Sequence, residues 1–288
     1  MNRLHIAPLL ALFLVTQAPA APAHAQDVLI RNAKVHTLTA QGTLEGADVL
    51  VRGGRVVEVG SGLTAAGAQV VEANGRPLTP GLFGGITGLG ISEIELESST
   101  VDRAAVVDRR ASGPGFVPRP EFDVTRAFNP DSAVIGVNRA EGITFAMIAP
   151  MASGTLFAGQ GAVARLDGSD SPFVAASRTQ FLDMGPSATD GVGFSRGAQF
   201  MLLEQATREA LPGNPLQAGD VRLLTPTGRE VFARYLAGGR MAFAVDRAVE
   251  IRQVLEFATR HGVKPVIVGG AQASQVAPLL ARSKVPVV

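Results

Sequence analysis

The chain has 288 residues, 46% apolar and 18% charged, which supports one large domain or two modest ones and excludes a disordered protein. With 26 basic and 25 acidic side chains the formal charge is +1, which excludes a general attraction to nucleic acid or anionic lipid. Cys and Trp are absent and Tyr occurs once, so disulfides, thiolate chemistry and aromatic stacking platforms are excluded too.

Residues 1–25 read as a secretory signal peptide. Arg3 is the positive n-region, Ile6 to Val15 the apolar core, and Ala23-His24-Ala25 an A-x-A site with cleavage expected before Gln26. Ala18-Pro19-Ala20 offers a second site. The ten residues of the apolar core fall well short of the ~20 a spanning helix needs, so an anchor is the poorer reading. The mature protein is expected to be periplasmic or secreted, free of the membrane after signal cleavage. Arg3 is the one charged residue removed, which leaves 25 basic and 25 acidic side chains.

Residues 27–38, 47–59 and 69–79 read as strands rich in Val, with turns at Gly53-Gly54 and Asn74-Gly75. Together, 26–79 form a small β-rich module, and Pro80-Gly81 begins a longer body, 80–288. From Ile91 to Ser132 the pattern is irregular, punctuated by Gly113-Pro114-Gly115 and Pro118-Arg119-Pro120. A loop of that length is functional or mobile. Ile143 to Ala149 reads as a buried strand, with shorter strands at Ala162 to Leu166 and Phe173 to Ala176.

The second half alternates strand and helix. A helix over 199–211 opens near Ser195 and stops at Pro212-Gly213. Thr227 to Glu230 reads as a capping box for a helix that ends at Gly238-Gly239. Met241 to Val245 is a strand, and Asp246 is expected to cap a helix closed by Gly262, with Ile251, Val254, Leu255 and Ala258 facing the core. Pro265 to Val268 is a strand, Ser274 caps a short helix to Arg282 that Pro278 shortens or kinks, and Val285 to Val288 begins another strand. Such alternation implies a parallel sheet with right-handed crossovers, in a (β/α) barrel or an open doubly wound sheet.

The stretch Leu78 to Gly90, with Pro80-Gly81-Leu82 leading into a strand, resembles the metal-dependent amidohydrolases, imidazolonepropionase-like members in particular. So do Asp27 to Val59, Phe128 to Ser132 followed by Arg139 to Thr144, Arg247 to Ile251, and Val266 to Gly270. The resemblance covers most of the mature chain. It implies a TIM-like (β/α) barrel carrying an N-terminal β-sandwich module and a divalent metal such as Zn²⁺ at the barrel strand ends. The implied activity is hydrolysis of non-peptide carbon–nitrogen bonds in cyclic or linear amides. The positions that match the family's ligand histidines hold Ile86, Gly88, Ala244 and Gly269. The family's Asp at the last barrel strand and the return to the sandwich have no counterpart, so the barrel is expected to be incomplete and the chain truncated or a fragment.

A hydrolytic metal site needs several fixed N or O donors and an open position. Only His36 and His261 outlast the signal peptide, one in the β module and one in the last turn of a helix. No metal or other cofactor is therefore expected. Glu93, Glu95 and Glu97 follow the first barrel strand and offer an oxygen site for Mg²⁺, Ca²⁺ or Mn²⁺, or else a solvated edge. Asp102, Asp108, Asp123 and Asp131 lie near them in sequence. Gly193-Phe194-Ser195-Arg196-Gly197 matches G-x-S-x-G, and the order Ser195, Asp246, His261 fits a triad. The segment before Ser195 does not read as a buried strand, which favours a plain helix start. Gly269-Gly270 before a helix is a weak anion-site signal. Three readings follow: a degenerate C–N hydrolase, a pseudoenzyme that binds a small molecule or partner in the barrel mouth, and a serine hydrolase. Open strand edges also invite self-association.

Overall fold

A computed structural model of the chain describes residues 26–105, 118–152, 154–185, 195–213 and 222–288. The signal-peptide reading, Asp108, Gly113-Pro114-Gly115 and the segment before Ser195 lie outside them. The described residues divide into two compact units, one up to Pro80 and one from Gly81 to Val288.

The first unit is a single sheet of β1 (Val28–His36), β2 (Thr43–Arg52), β3 (Arg55–Gly60), β4 (Gln69–Glu72) and β5 (Pro77–Leu78). Its order is β3-β2-β1-β4, with β5 also on β1, and β4 and β5 run parallel to β1. Gly53 and Gly54 both take positive φ, 55° and 75°, the backbone a two-residue hairpin turn demands. Ala33, Val35, Ala47, Val49 and Ala73 pack on one face, while Val56, Val57 and Val70 stay exposed. A second sheet layer, which a sandwich needs, is absent from the described residues.

The second unit is a mixed α/β fold built on a curled half-barrel sheet. Its strands are β6 (Leu82–Thr87), β7 (Ile143–Ile148), β8 (Phe157–Arg165), β9 (Thr179–Asp183), β10 (Arg240–Val245) and β11 (Lys264–Gly269), in sequence order across the sheet. β6 and β7 are parallel, as are β9, β10 and β11; β8 runs antiparallel to both neighbours. Ile267 bridges Val287, so the last residues begin one more parallel strand beside β11. The helices are α1 (Ala133–Ala140), α2 (Arg196–Ala210), α3 (Pro226–Leu236), α4 (Ala248–His261) and α5 (Ala277–Ser283). The largest core joins Phe157, Phe232, Phe243, Met241, Ile251 and Val254 under α2, α3, α4 and α5, while Ile135 of α1 packs in a second core with Ile148 and Leu166.

Several expectations need correction. The short strand at 162–166 is the end of the longer β8, and β9 follows it with no helix between. The segment 173–176 contributes only a bridge from Phe173 to Ala164. β8 hid its nature because Gly159 and Gly161 interrupt its apolar run, although most of the strand is buried. α1, which follows Ser132, was not foreseen. α3 starts two residues early: Thr225, not Thr227, is the cap, accepting from the Gly228 N–H at 2.9 Å with Pro226 at the first helical turn. α4 is capped at Arg247, whose N–H donates to Glu250 at 3.1 Å, while Asp246 turns to the Ala271 N–H. Gln272 and Val276, not Ser274, precede the last 3-10 turn and α5. Gly262 ends α4 in the left-handed region at φ 69°, as the sequence implies.

Candidate functional site

β6, β7, β9, β10 and β11 all deliver their C-terminal ends to one edge of the sheet, where α/β proteins gather ligands. The residues at this edge are Thr87-Gly88, Ile148-Ala149, Asp183, Val245-Asp246 and Gly269.

Gly88, just past β6, lies under the side chain of Arg103. A Cβ built on Gly88 would meet Arg103 Cδ at 2.5 Å, so no larger residue fits there while Arg103 stays. Arg103 is held at both ends. Its carbonyl accepts from the Met151 N–H at 2.7 Å, just beyond β7, and its Nη2 donates to Glu95 at 2.6 Å. Only 23% of the side chain is exposed, and its buried Nε finds no partner among the described residues. Ile86 is paired with Met147 across β6 and β7 and packs against the buried cluster of Ala149, Ala158, Phe181 and Ala242. Ala244 lies in register between Asp183 on β9 and Val268 on β11. Gly269 has φ 86°, and a Cβ there would meet Asp246 Oδ1 at 2.9 Å.

A divalent metal centre needs donors that these positions do not supply. Ile86, Gly88 and Ala244 carry none, and a guanidinium covers Gly88. Among the described residues no three His, Asp or Glu side chains converge. Asp183 and Asp246 end neighbouring strands, and each turns an oxygen to nearby backbone: Asp183 to the Gly185 N–H at 2.8 Å, Asp246 to the Ala271 N–H at 3.2 Å. The described residues at these strand ends do not fit a binuclear metal centre.

The acidic run after β6 is dispersed among separate tasks. Glu93 accepts from Ser132 Oγ at 2.8 Å and from Asn129 Nδ2 at 3.4 Å. Glu95 holds Arg103 and accepts from Ser92 Oγ at 3.0 Å. Glu97 caps the 3-10 turn Ser98–Thr100, and the hydroxyl and N–H of Ser99 hold its carboxyl below the ordinary range. Asp123 pairs with Arg178.

Ser195, Asp246 and His261 have separate partners as well. The Ser195 hydroxyl accepts from the Ala198 N–H at 3.3 Å as the cap of α2. Asp246 lies at the C-terminal edge of the sheet. His261 is at the far end of α4, and the 14 residues of that helix place it about 20 Å away along the axis. There the imidazole lies against Phe257, with centroids 4.6 Å apart and the rings tilted by 47°, and 3.7 Å from Glu204. His36 bonds Thr43 across β1 and β2 at 3.0 Å, in the other unit.

Sequence reasoning did not single out Arg103 or Asp183. Asp183 ends a strand that was not read, and Arg103 sits in an irregular stretch where periodicity carries no signal.

No family model matches the chain, and no curated protein matches it. An amidohydrolase from Thermotoga maritima is similar in structure, with a TM-score of 0.74 and 24% identity over 91% of this chain and 69% of that one. A triazine hydrolase from Arthobacter aurescens is 16% identical over 85% of this chain and 53% of that one, at a TM-score of 0.27, too low to bear on the fold. The first comparison gives the second unit its context: this chain shares the fold of the Thermotoga amidohydrolase.

Proposed function

We propose that the chain is an exported protein on an imidazolonepropionase-like amidohydrolase scaffold, and that it binds a small molecule or partner at the strand ends in place of metal-dependent hydrolysis. The carrying observation is Arg103 over Gly88: a held cation occupies the space that a histidine side chain at this position would need. Ile86 and Ala244, without donor atoms, agree with this. A guanidinium paired with the Glu95 carboxylate suits recognition of a polar ligand better than activation of water. Export rests on residues 1–25, and the neutral mature chain supports the absence of nucleic acid among its partners.

The alternative is the hydrolysis of non-peptide C–N bonds that the shared fold brings to mind. Metal analysis of the purified mature protein, after exposure to excess Zn²⁺ and gel filtration, separates the two. The binding reading expects well below one equivalent retained. Stoichiometric, tightly held Zn²⁺ sinks it.

A further inference from the structure

Opposite the strand ends just described, a cavity of about 650 Å³ opens at the N-terminal edge of β9, β10 and β11. Five cations line it, Arg126, Arg178, Arg234, Arg240 and Lys264, against two carboxylates, Asp123 and Glu121. Asp123 is engaged through its pair, and Glu121 through Oε1, while the buried Glu121 Oε2 has no partner among the described residues. Asp123 binds Arg178, and Glu121 accepts from Thr225 Oγ1 at 2.7 Å and from Arg119 at 3.3 Å. Arg126, Arg234, Arg240 and Lys264 make no side-chain ion pair or hydrogen bond with another described residue.

Arg234 has a local reason to be basic, since it lies in the last turn of α3. Arg240 and Lys264 do not. They open adjacent parallel strands directly in register, and Arg178 precedes Thr179, the residue in register with Arg240 on the other side. At the usual strand spacing these three cations fall within about 10 Å, an arrangement of like charges that costs stability. The cavity also has a fixed polar lining. The Tyr235 hydroxyl donates to Gln160 Oε1 at 3.0 Å, and Gln160 Nε2 donates to the Glu121 carbonyl at 3.2 Å. Burial pushes the Tyr235 hydroxyl up to about 12, so it adds no negative charge.

We propose that this cavity binds a small, multiply charged anion bearing phosphates or clustered carboxylates, with Arg240 and Lys264 as its central contacts. The site is separate from the strand-end reading and does not depend on it.

Calorimetric titration of the mature chain at low ionic strength with inorganic pyrophosphate, and separately with citrate, tests this. One saturable site per chain is expected for at least one probe, and the tighter probe identifies the class. Arg240→Gln with Lys264→Gln weakens it by about tenfold or more, the loss of charge-assisted contacts; Arg240→Lys keeps most of it. In anion-free buffer the double variant should melt no lower than the parent, because a repulsion has been removed. The proposal is overturned if neither probe saturates, if the double variant binds unchanged, or if it melts lower, which would make the cations a structural need.

Discussion

Asp48 shows how one side chain fixes a local irregularity. β1 slips register between Ile30 and Ala33, where Asn32 takes φ 50° and its N–H leaves the ladder. Asp48 Oδ1 accepts that N–H at 2.9 Å, and Oδ2 accepts from Leu63 at 2.9 Å. The bond from Asn32 holds the carboxyl below its ordinary value of 3.8. The sign follows: as pH falls the unfolded chain takes up this proton first. The contribution is therefore full above about pH 5 and drains as pH drops below 4. Asp48→Asn replaces one acceptor by a donor and should cost about 1–2 kcal/mol at neutral pH. Urea unfolding at pH 7 and pH 3 checks it; the gap between parent and variant should narrow at the lower pH. Glu250, 3% exposed, works similarly for α4, receiving Arg247 and lying 2.9 Å from Arg196.

At the scale of elements, the sheet depends on where side chains are missing. Gly161 sits in β8 against β7, and a Cβ there would meet the Ile148 carbonyl at 2.2 Å and Phe181 at 3.0 Å. Gly161→Ala must push β7 and β8 apart and should destabilise the protein by about 1–3 kcal/mol. Gly53→Ala, with open space around it, should pay only the cost of its positive φ. Comparing the thermal unfolding of the two variants checks this. The same glycines explain what the sequence concealed. The Gly53-Gly54 hairpin and the helix closed by Gly262 were readable because turn chemistry and periodicity are local. Most of β8 and all of β9 were not: Gly159 and Gly161 read as breaks in β8, and the buried polar Thr179 and Gln180 interrupt the apolar pattern of β9. The α3 cap was misplaced because Thr225-Pro226 and Thr227-Gly228 both offer a start. Thr225 prevails by also donating to Glu121, 104 residues away. At the strand ends the donor-free Ile86, Gly88 and Ala244 were visible in the sequence, but Arg103 over Gly88 was not, because it arises from a loop folding back.

At the scale of the whole molecule, the described sheet has two ends, β6 and the residues beside β11. The first of these carries exposed apolar side chains. Leu82 and Phe83 are 52% and 47% exposed, and Phe83 pairs with Phe145 at 5.3 Å between ring centroids. With 26 basic and 25 acidic side chains, the chain has almost no net charge to oppose approach of a second copy. Association through this edge should appear as a sedimentation coefficient that rises with protein concentration. Phe83→Lys places a charge on the exposed aromatic pair and should hold the protein as a monomer over the same range, while leaving its thermal unfolding within about 1 kcal/mol of the parent, as for most exposed substitutions. A parent that stays monomeric throughout would show that this edge does not recruit another copy.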